Sequence, residues 1–284
     1  MSHFLSLVAR LPGNSLATQN TMLKFTLVKR IRVSLAQDLL ILVAAFGAGA
    51  VNAVAGGGSL ISFPALLAVG LSPLSANVTN SIAVLPGYAG SVIPYRHHIM
   101  AQKKRAKQIS ALSIVGAIVG TIILLKAPPQ VFKVLVPYLI FAATTLLLIQ
   151  KQMLSFFSKR SVTHPRSSKI SLNSGIFLAS VYGSYFGAGL GIMLLSILAS
   201  FIHDDLQRLN GLKTLLSLII ATIGSAIYAV FAPVSWTAVA IMAPASLLGG
   251  YFGAGIARKL TPKVLKVSVV TFGYVIGLII LFKG

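Results

Sequence analysis

Apolar residues run along this chain in long blocks, at 36–54, 60–70, 74–95, 109–126, 131–150, 171–188, 190–203, 208–231, 236–257 and 263–282. A block of about 20 apolar residues crosses a hydrocarbon core roughly 30 Å thick as a helix. The polar–apolar alternation that a membrane barrel requires is missing. The pattern predicts an all-α polytopic membrane protein. Two blocks, 60–70 and 190–203, are too short to cross at about 1.5 Å per residue, and each follows a cluster of glycines. Short apolar pieces of this kind form half-helices of a broken span, or arms of re-entrant hairpins.

The interruptions recur. Shifted by 133 positions, Ala55-Gly56 falls on Ala188-Gly189, Gly58 on Gly191, Asn77 on Asn210, Tyr95 on Tyr228, and Gly116 and Gly120 on Gly249 and Gly253, without a gap. An internal repeat with matched breaks is a mark of transporter folds. The expected organisation is a basic N-terminal arm (1–35), a first transmembrane repeat (36–150), a basic cytoplasmic linker (151–170) and a second repeat (171–284). Each half would hold about four transmembrane helices and one Gly-rich break. With non-crossing breaks the halves would be parallel; with crossing short segments they would be inverted. Segment length favours the former. Under both, Arg96 to Lys107 and the linker are expected in the cytoplasm.

Composition narrows the class. Of 284 residues, 56% are hydrophobic and 10% charged, with 24 Lys and Arg against three acids, Asp38, Asp204 and Asp205. The net charge of +21 would suggest nucleic acid in a soluble chain. Here the cations lie mostly between apolar blocks, so they read as topology signals and contacts to anionic lipid; nucleic acid is not expected as a partner. There is no cysteine, which excludes thiol chemistry. No metal-ligand spacing and no nucleophile with a base partner is evident, so neither a cofactor nor an enzyme is expected. Residues 1–35 lack the charge, apolar run and cleavage pattern of a signal peptide.

The candidate chemistry lies at the breaks. Glycine costs a helix about 1 kcal/mol relative to alanine, yet Gly56, Gly57 and Gly58 are consecutive, and Gly187, Gly189 and Gly191 open the second short segment. A break exposes unpaired N–H groups and the positive end of a helix dipole, which suit an anion. Glycine lets a ligand approach that backbone. Ser59 adds a hydroxyl beside it. Gly116/Gly120 and Gly249/Gly253, at four-residue spacing in unbroken spans, read as close helix packing. A second cluster, Asn77, Thr79 and Asn80, is matched by Asn210, Lys213 and Thr214. These would orient an oxyanion, with Lys213 balancing its charge, although Asn77 and Asn210 also suit helix caps and Lys213 suits snorkelling. Asn52, Ser62 and Tyr185 are weaker candidates. His203, beside Asp204 and Asp205, reads as a polar turn or a proton-sensitive gate.

AGGGSLISFPALL at 55–67, TNSIAVLPG at 79–87, YGSYFGAGLGIMLL at 182–195, NGLKTLLSLI at 210–219 and LGGYFGAGIARKLTP at 248–262 resemble the TauE/SafE family of sulfite and organosulfur-anion exporters. The resemblance covers nearly everything from residue 36 to 284, with the motifs in order; AGGGS stands where AGGGG is more usual. It implies an inner-membrane permease with a small inorganic or organic sulfur-containing anion as substrate. The residues alone reach only a small anion. The combined expectation is export of sulfite or an organosulfonate by alternating access. The alternatives are an ion-coupled importer of the same anions and an anion channel. A homo-oligomeric assembly is compatible with this reading.

Overall fold

The computed structural model describes residues 35–53, 56–150, 152, 165–257 and 262–283. The expected arm 1–35, Leu35 apart, and most of the linker 151–170 lie outside them. The first helix, α1, spans Leu35–Ala53. It is followed by α2 (Ser59–Ala68), α3 (Pro73–Val92), α4 (Arg96–Met100), α5 (Lys103–Lys126) and α6 (Pro129–Leu148). Then come α7 (Pro165–Tyr185), α8 (Leu190–Phe201), α9 (Leu206–Phe231), α10 (Trp236–Ala257) and α11 (Pro262–Lys283). The expectation of an all-helical membrane fold holds: α1, α5, α6 and α9 are each long and apolar enough to span. The contacts that follow lie within the compact unit Ile41–Gly284.

Local chemistry explains the boundaries. Proline opens α3, α6, α7 and α11, where its missing N–H costs nothing and its φ is already helical. The Ser72 hydroxyl accepts the Ser75 N–H at 3.3 Å and so caps α3. The Asp205 carboxylate accepts the Gln207 N–H at 3.1 Å and caps α9.

The two short helices fold back on their predecessors. Gly47 on α1 faces the Ile61 side chain on α2, and Gly58 lies against Ala48. Gly183 on α7 faces Leu190 at the start of α8, and Gly175 faces Ile197 further along it. Each pair is therefore a helical hairpin with glycines at its bend. At about 1.5 Å per residue, α2 and α8 reach only about 15 and 18 Å, as their sequence lengths suggested.

The hairpins enter from opposite ends. α3 and α9 run antiparallel, because the Ser75 hydroxyl bonds the Pro233 carbonyl at 2.7 Å at one end, while Gly211 lies beside His98 and Ile99 at the other. The α2–α3 turn sits at the Pro233 end. The α8–α9 turn sits at the basic end, where Asp204 meets Arg105.

Glycines also set the approach of α10. A Cβ on Gly249 would lie 2.0 Å from the Phe46 carbonyl of α1, and one on Gly250 2.2 Å from the Gly87 carbonyl of α3. The packing expected of Gly116 and Gly120 is present too, against α7 at Ser180 and Val181. Gly249→Ala is expected to destabilise the protein by about 1–3 kcal/mol, because a backbone carbonyl cannot rotate away from the added methyl. Thermal unfolding in detergent measures it.

Candidate functional site

The bends are built from glycines in conformations that other residues rarely adopt. Gly56 has φ +81°, and Gly187 and Gly189 have φ +77° and +76°. The Gly56 N–H closes α1 by reaching the Val51 carbonyl at 2.9 Å, and the Gly187 N–H closes α7 by reaching Tyr182 at 3.2 Å. Each following helix opens on a glycine carbonyl: Gly58 accepts the Ile61 N–H at 2.8 Å, and Gly189 accepts the Ile192 N–H at 3.0 Å. The Tyr182 hydroxyl holds the second bend by donating to the Ala188 carbonyl at 2.7 Å.

The bends touch. A Cβ on Gly56 would lie 2.5 Å from the Gly191 Cα, and one on Gly191 2.6 Å from the Gly56 Cα. The N-termini of α2 and α8 therefore approach one region from opposite ends. Their dipoles place partial positive charge there. Beside the contact lies a cavity of about 20 Å³, lined by Ser59 from the first bend and by Phe186 and Gly187 from the second. Ser81 and Tyr88 of α3, Ser184 of α7 and Tyr228 of α9 complete its polar wall. This volume holds about one water molecule.

The polar residues singled out in the sequence divide into groups. Around the first bend, the Ser62 hydroxyl donates to Asn80 Oδ1, and the Asn77 amide donates to the Tyr185 carbonyl at 2.9 Å. Thr79 accepts the Ser235 N–H at 3.0 Å. All of these side chains of α3 are buried. Asn210, in contrast, folds back on its own helix, donating to the Leu206 carbonyl at 3.0 Å, and Thr214 likewise bonds the Asn210 and Gly211 carbonyls. Lys213 is 1% exposed, and among the described residues nothing bonds its ammonium. Ser225 of α9 lies level with Ser81, since its hydroxyl bonds the Ser81 carbonyl at 3.1 Å. Lys213 precedes Ser225 by twelve residues, so it sits about 18 Å along the helix pair from the Asn80 level. Asn80 and Lys213, paired by the sequence shift, flank the bends on opposite sides rather than sharing one pocket. Gly57 stands back from the contact; a Cβ there would meet only side chains, at 3.8 Å or more.

Asn52 matters more than its sequence context suggested. Its Oδ1 accepts the Gly58 N–H at 2.8 Å, tying the end of α1 to the start of α2. Its Nδ2 is buried without a partner among the described residues. The one available signal was an amide residue a few positions ahead of the triple glycine. Asn52→Ala is expected to cost about 1–3 kcal/mol, because the Gly58 N–H loses its acceptor inside the protein. Chemical or thermal unfolding in detergent reads this loss.

At the basic end, Asp204 bridges Arg105 at 3.1 Å and Arg208 at 3.3 Å. Partial desolvation pushes its carboxyl up, but the Asp205 N–H and the two guanidiniums outweigh this and hold it below the usual carboxylate range. The turn containing His203 is thus pinned to α5. Among the described residues, no group of His, Asp and Glu is arranged to hold a metal ion.

The model of the family described as "Sulfite exporter TauE/SafE" matches residues 41–280, which include both hairpins and both faces of the glycine contact. The chain belongs to the TauE/SafE family. Relatives of this TauE/SafE protein carry transporter names. A "probable membrane transporter protein ORF9" of Sinorhizobium is 25% identical, covering 79% of this chain and 84% of its own. A "probable membrane transporter protein" of Haemophilus influenzae is 22% identical, covering 81% and 88%. The "probable membrane transporter protein YfcA" of Escherichia coli K12 is 29% identical over 33% of this chain and 35% of its own. No solved structure matches. The TauE/SafE chain is a multi-pass membrane transporter.

Proposed function

We propose that the protein exports a small oxidised sulfur anion, sulfite or an organosulfonate, across the inner membrane by alternating access. The observation that carries this reading is the meeting of the α2 and α8 N-termini at the Gly56–Gly191 contact. Two helix dipoles directed at one point favour an anion without a formal charge from the protein. The sulfur comes from the family match.

Hairpins entering from opposite ends, with like bends, support two inverted halves of common origin. In such folds the substrate site lies at the repeat interface near the midplane. The cations of Arg96 to Lys107 mark the cytoplasmic end under the positive-inside rule. Lys213 lies on that side of the bends and would draw the anion in, whereas Asn80 and Ser62 lie on the exit side. The small cavity, about one water in size, favours a carrier over an open channel. Parting of the bends would then open the path to one side at a time. With the interior negative, each exported negative charge gains about 2.3 kcal/mol per 100 mV, so export of a monoanion needs no coupling ion.

The test is a proteoliposome screen of sulfite, sulfonates, sulfate, thiosulfate and carboxylates. Saturable flux of an oxidised sulfur anion, with counterflow, is the expected result. Flux no greater than in empty vesicles for every one of these anions would sink the reading.

A further inference from the structure

A groove at the basic end has no part in the anion path. α5 and α7 run parallel, and they pack tightly where a Cβ on Gly116 would lie 2.8 Å from the Phe177 carbonyl. Toward their N-terminal ends the helices spread, and the end of α8 fills only part of the gap. What remains is a cleft of about 790 Å³. Its polarity is graded. Arg105 of α5, Lys169 of α7 and His203 stand at the mouth. Ile109, Leu112 and Val115 continue down the same face of α5, at helical spacing, opposite Phe201. From Arg105 to Val115 the face descends about 15 Å into the apolar layer. Val115, and Ile118 beyond it, are exposed hydrophobics on the outside of the protein.

We infer that this cleft is a binding site for one anionic phospholipid, with its phosphate at Lys169 and Arg105 and an acyl chain along α5. Charge complementarity chooses the occupant. Lys169 is exposed and lines the mouth. Asp204 takes only one edge of Arg105, through Nη1, and does not line the cleft. A soluble anion would leave the apolar wall uncovered, and a zwitterionic lipid would bring its own headgroup cation in among Arg105 and Lys169. Cations at the headgroup level attract anionic lipid, and each CH₂ group buried along the apolar wall strengthens the binding.

Native mass spectrometry of the full chain, released from detergent micelles that contain equal dimyristoyl phosphatidylglycerol and phosphatidylcholine, tests the site. The wild type is expected to retain one phosphatidylglycerol in preference to phosphatidylcholine. Lys169→Gln should lower that retention at least fivefold, and so should Ala111→Trp, which fills the cleft from an exposed position. Lys126→Gln, an exposed cation at the far end of α5, should change nothing. Equal retention of both lipids, equal losses in Lys169→Gln and Lys126→Gln, or unchanged retention in Ala111→Trp would each overturn the site.

Discussion

Gly191→Ala is expected to abolish anion transport in a protein that still inserts and purifies, whereas Gly57→Ala transports near the wild-type rate. The sequence treats the two as members of equivalent glycine clusters; the contact distances separate them. A methyl on Gly191 would lie 2.6 Å from the Gly56 Cα, well inside the roughly 3.5–4.0 Å optimum for carbon pairs. The opposing atom is backbone and cannot swing aside, so the bends must part by about 1 Å. Overpacking of this kind costs about 1–3 kcal/mol. A methyl on Gly57 would meet only side-chain atoms at ordinary contact distance. Gly191 does not have a positive φ, so its substitution tests the contact alone. Gly56→Ala adds the strain of a left-handed backbone, about 1–2 kcal/mol. Flux in proteoliposomes, beside size-exclusion profiles of the same preparations, separates lost transport from lost folding. Wild-type flux in Gly191→Ala would show that the contact is not part of the path.

The second large effect concerns Lys213, and its two consequences have opposite signs. An ammonium 1% exposed, with no bonded partner among the described residues, carries a desolvation cost in the resting protein. Lys213→Met is therefore expected to raise the unfolding temperature. The same substitution removes a charge-assisted contact from the anion's route, so affinity should fall by about 1–3 kcal/mol, roughly five- to 150-fold. Lys213→Gln should weaken binding similarly, and Lys213→Arg should keep part of it. Binding titrations beside thermal unfolding decide the matter. A stabilised Lys213→Met with an unchanged dissociation constant would remove the residue from the anion path.

Much of this arrangement was readable from residue pattern. The short segments after Gly58 and Gly189 emerge as α2 and α8, because an apolar run of that length cannot cross and glycine permits the bend. What pattern could not give was the third dimension. The 133-residue shift set Asn80 beside Lys213, but hairpins entering from opposite ends carry the two to opposite sides of the bends. The Lys and Arg distribution could not choose between parallel and inverted halves, since Arg96 to Lys107 and the linker fall inside in either case. Segment length favoured parallel halves; the opposed entry of the two hairpins supports the inverted halves proposed above. The role of Asn52 was hidden as well. A side chain reaching the Gly58 N–H across a bend leaves no periodic trace.

The chain has no cysteine, so a single thiol at Ser59, in the cavity wall between the bends, reports on the proposed path alone. The most direct measurement is the rate at which Ser59→Cys, in vesicles, reacts with an anionic ethylsulfonate methanethiosulfonate, with and without a non-reactive sulfonate such as isethionate. The expected result is modification that saturating sulfonate slows at least several-fold, while a cationic reagent of the same size reacts far more slowly than the anionic one. A thiol inert to both reagents, or modified at a rate that no sulfur anion changes, would contradict an anion path between the two glycine bends.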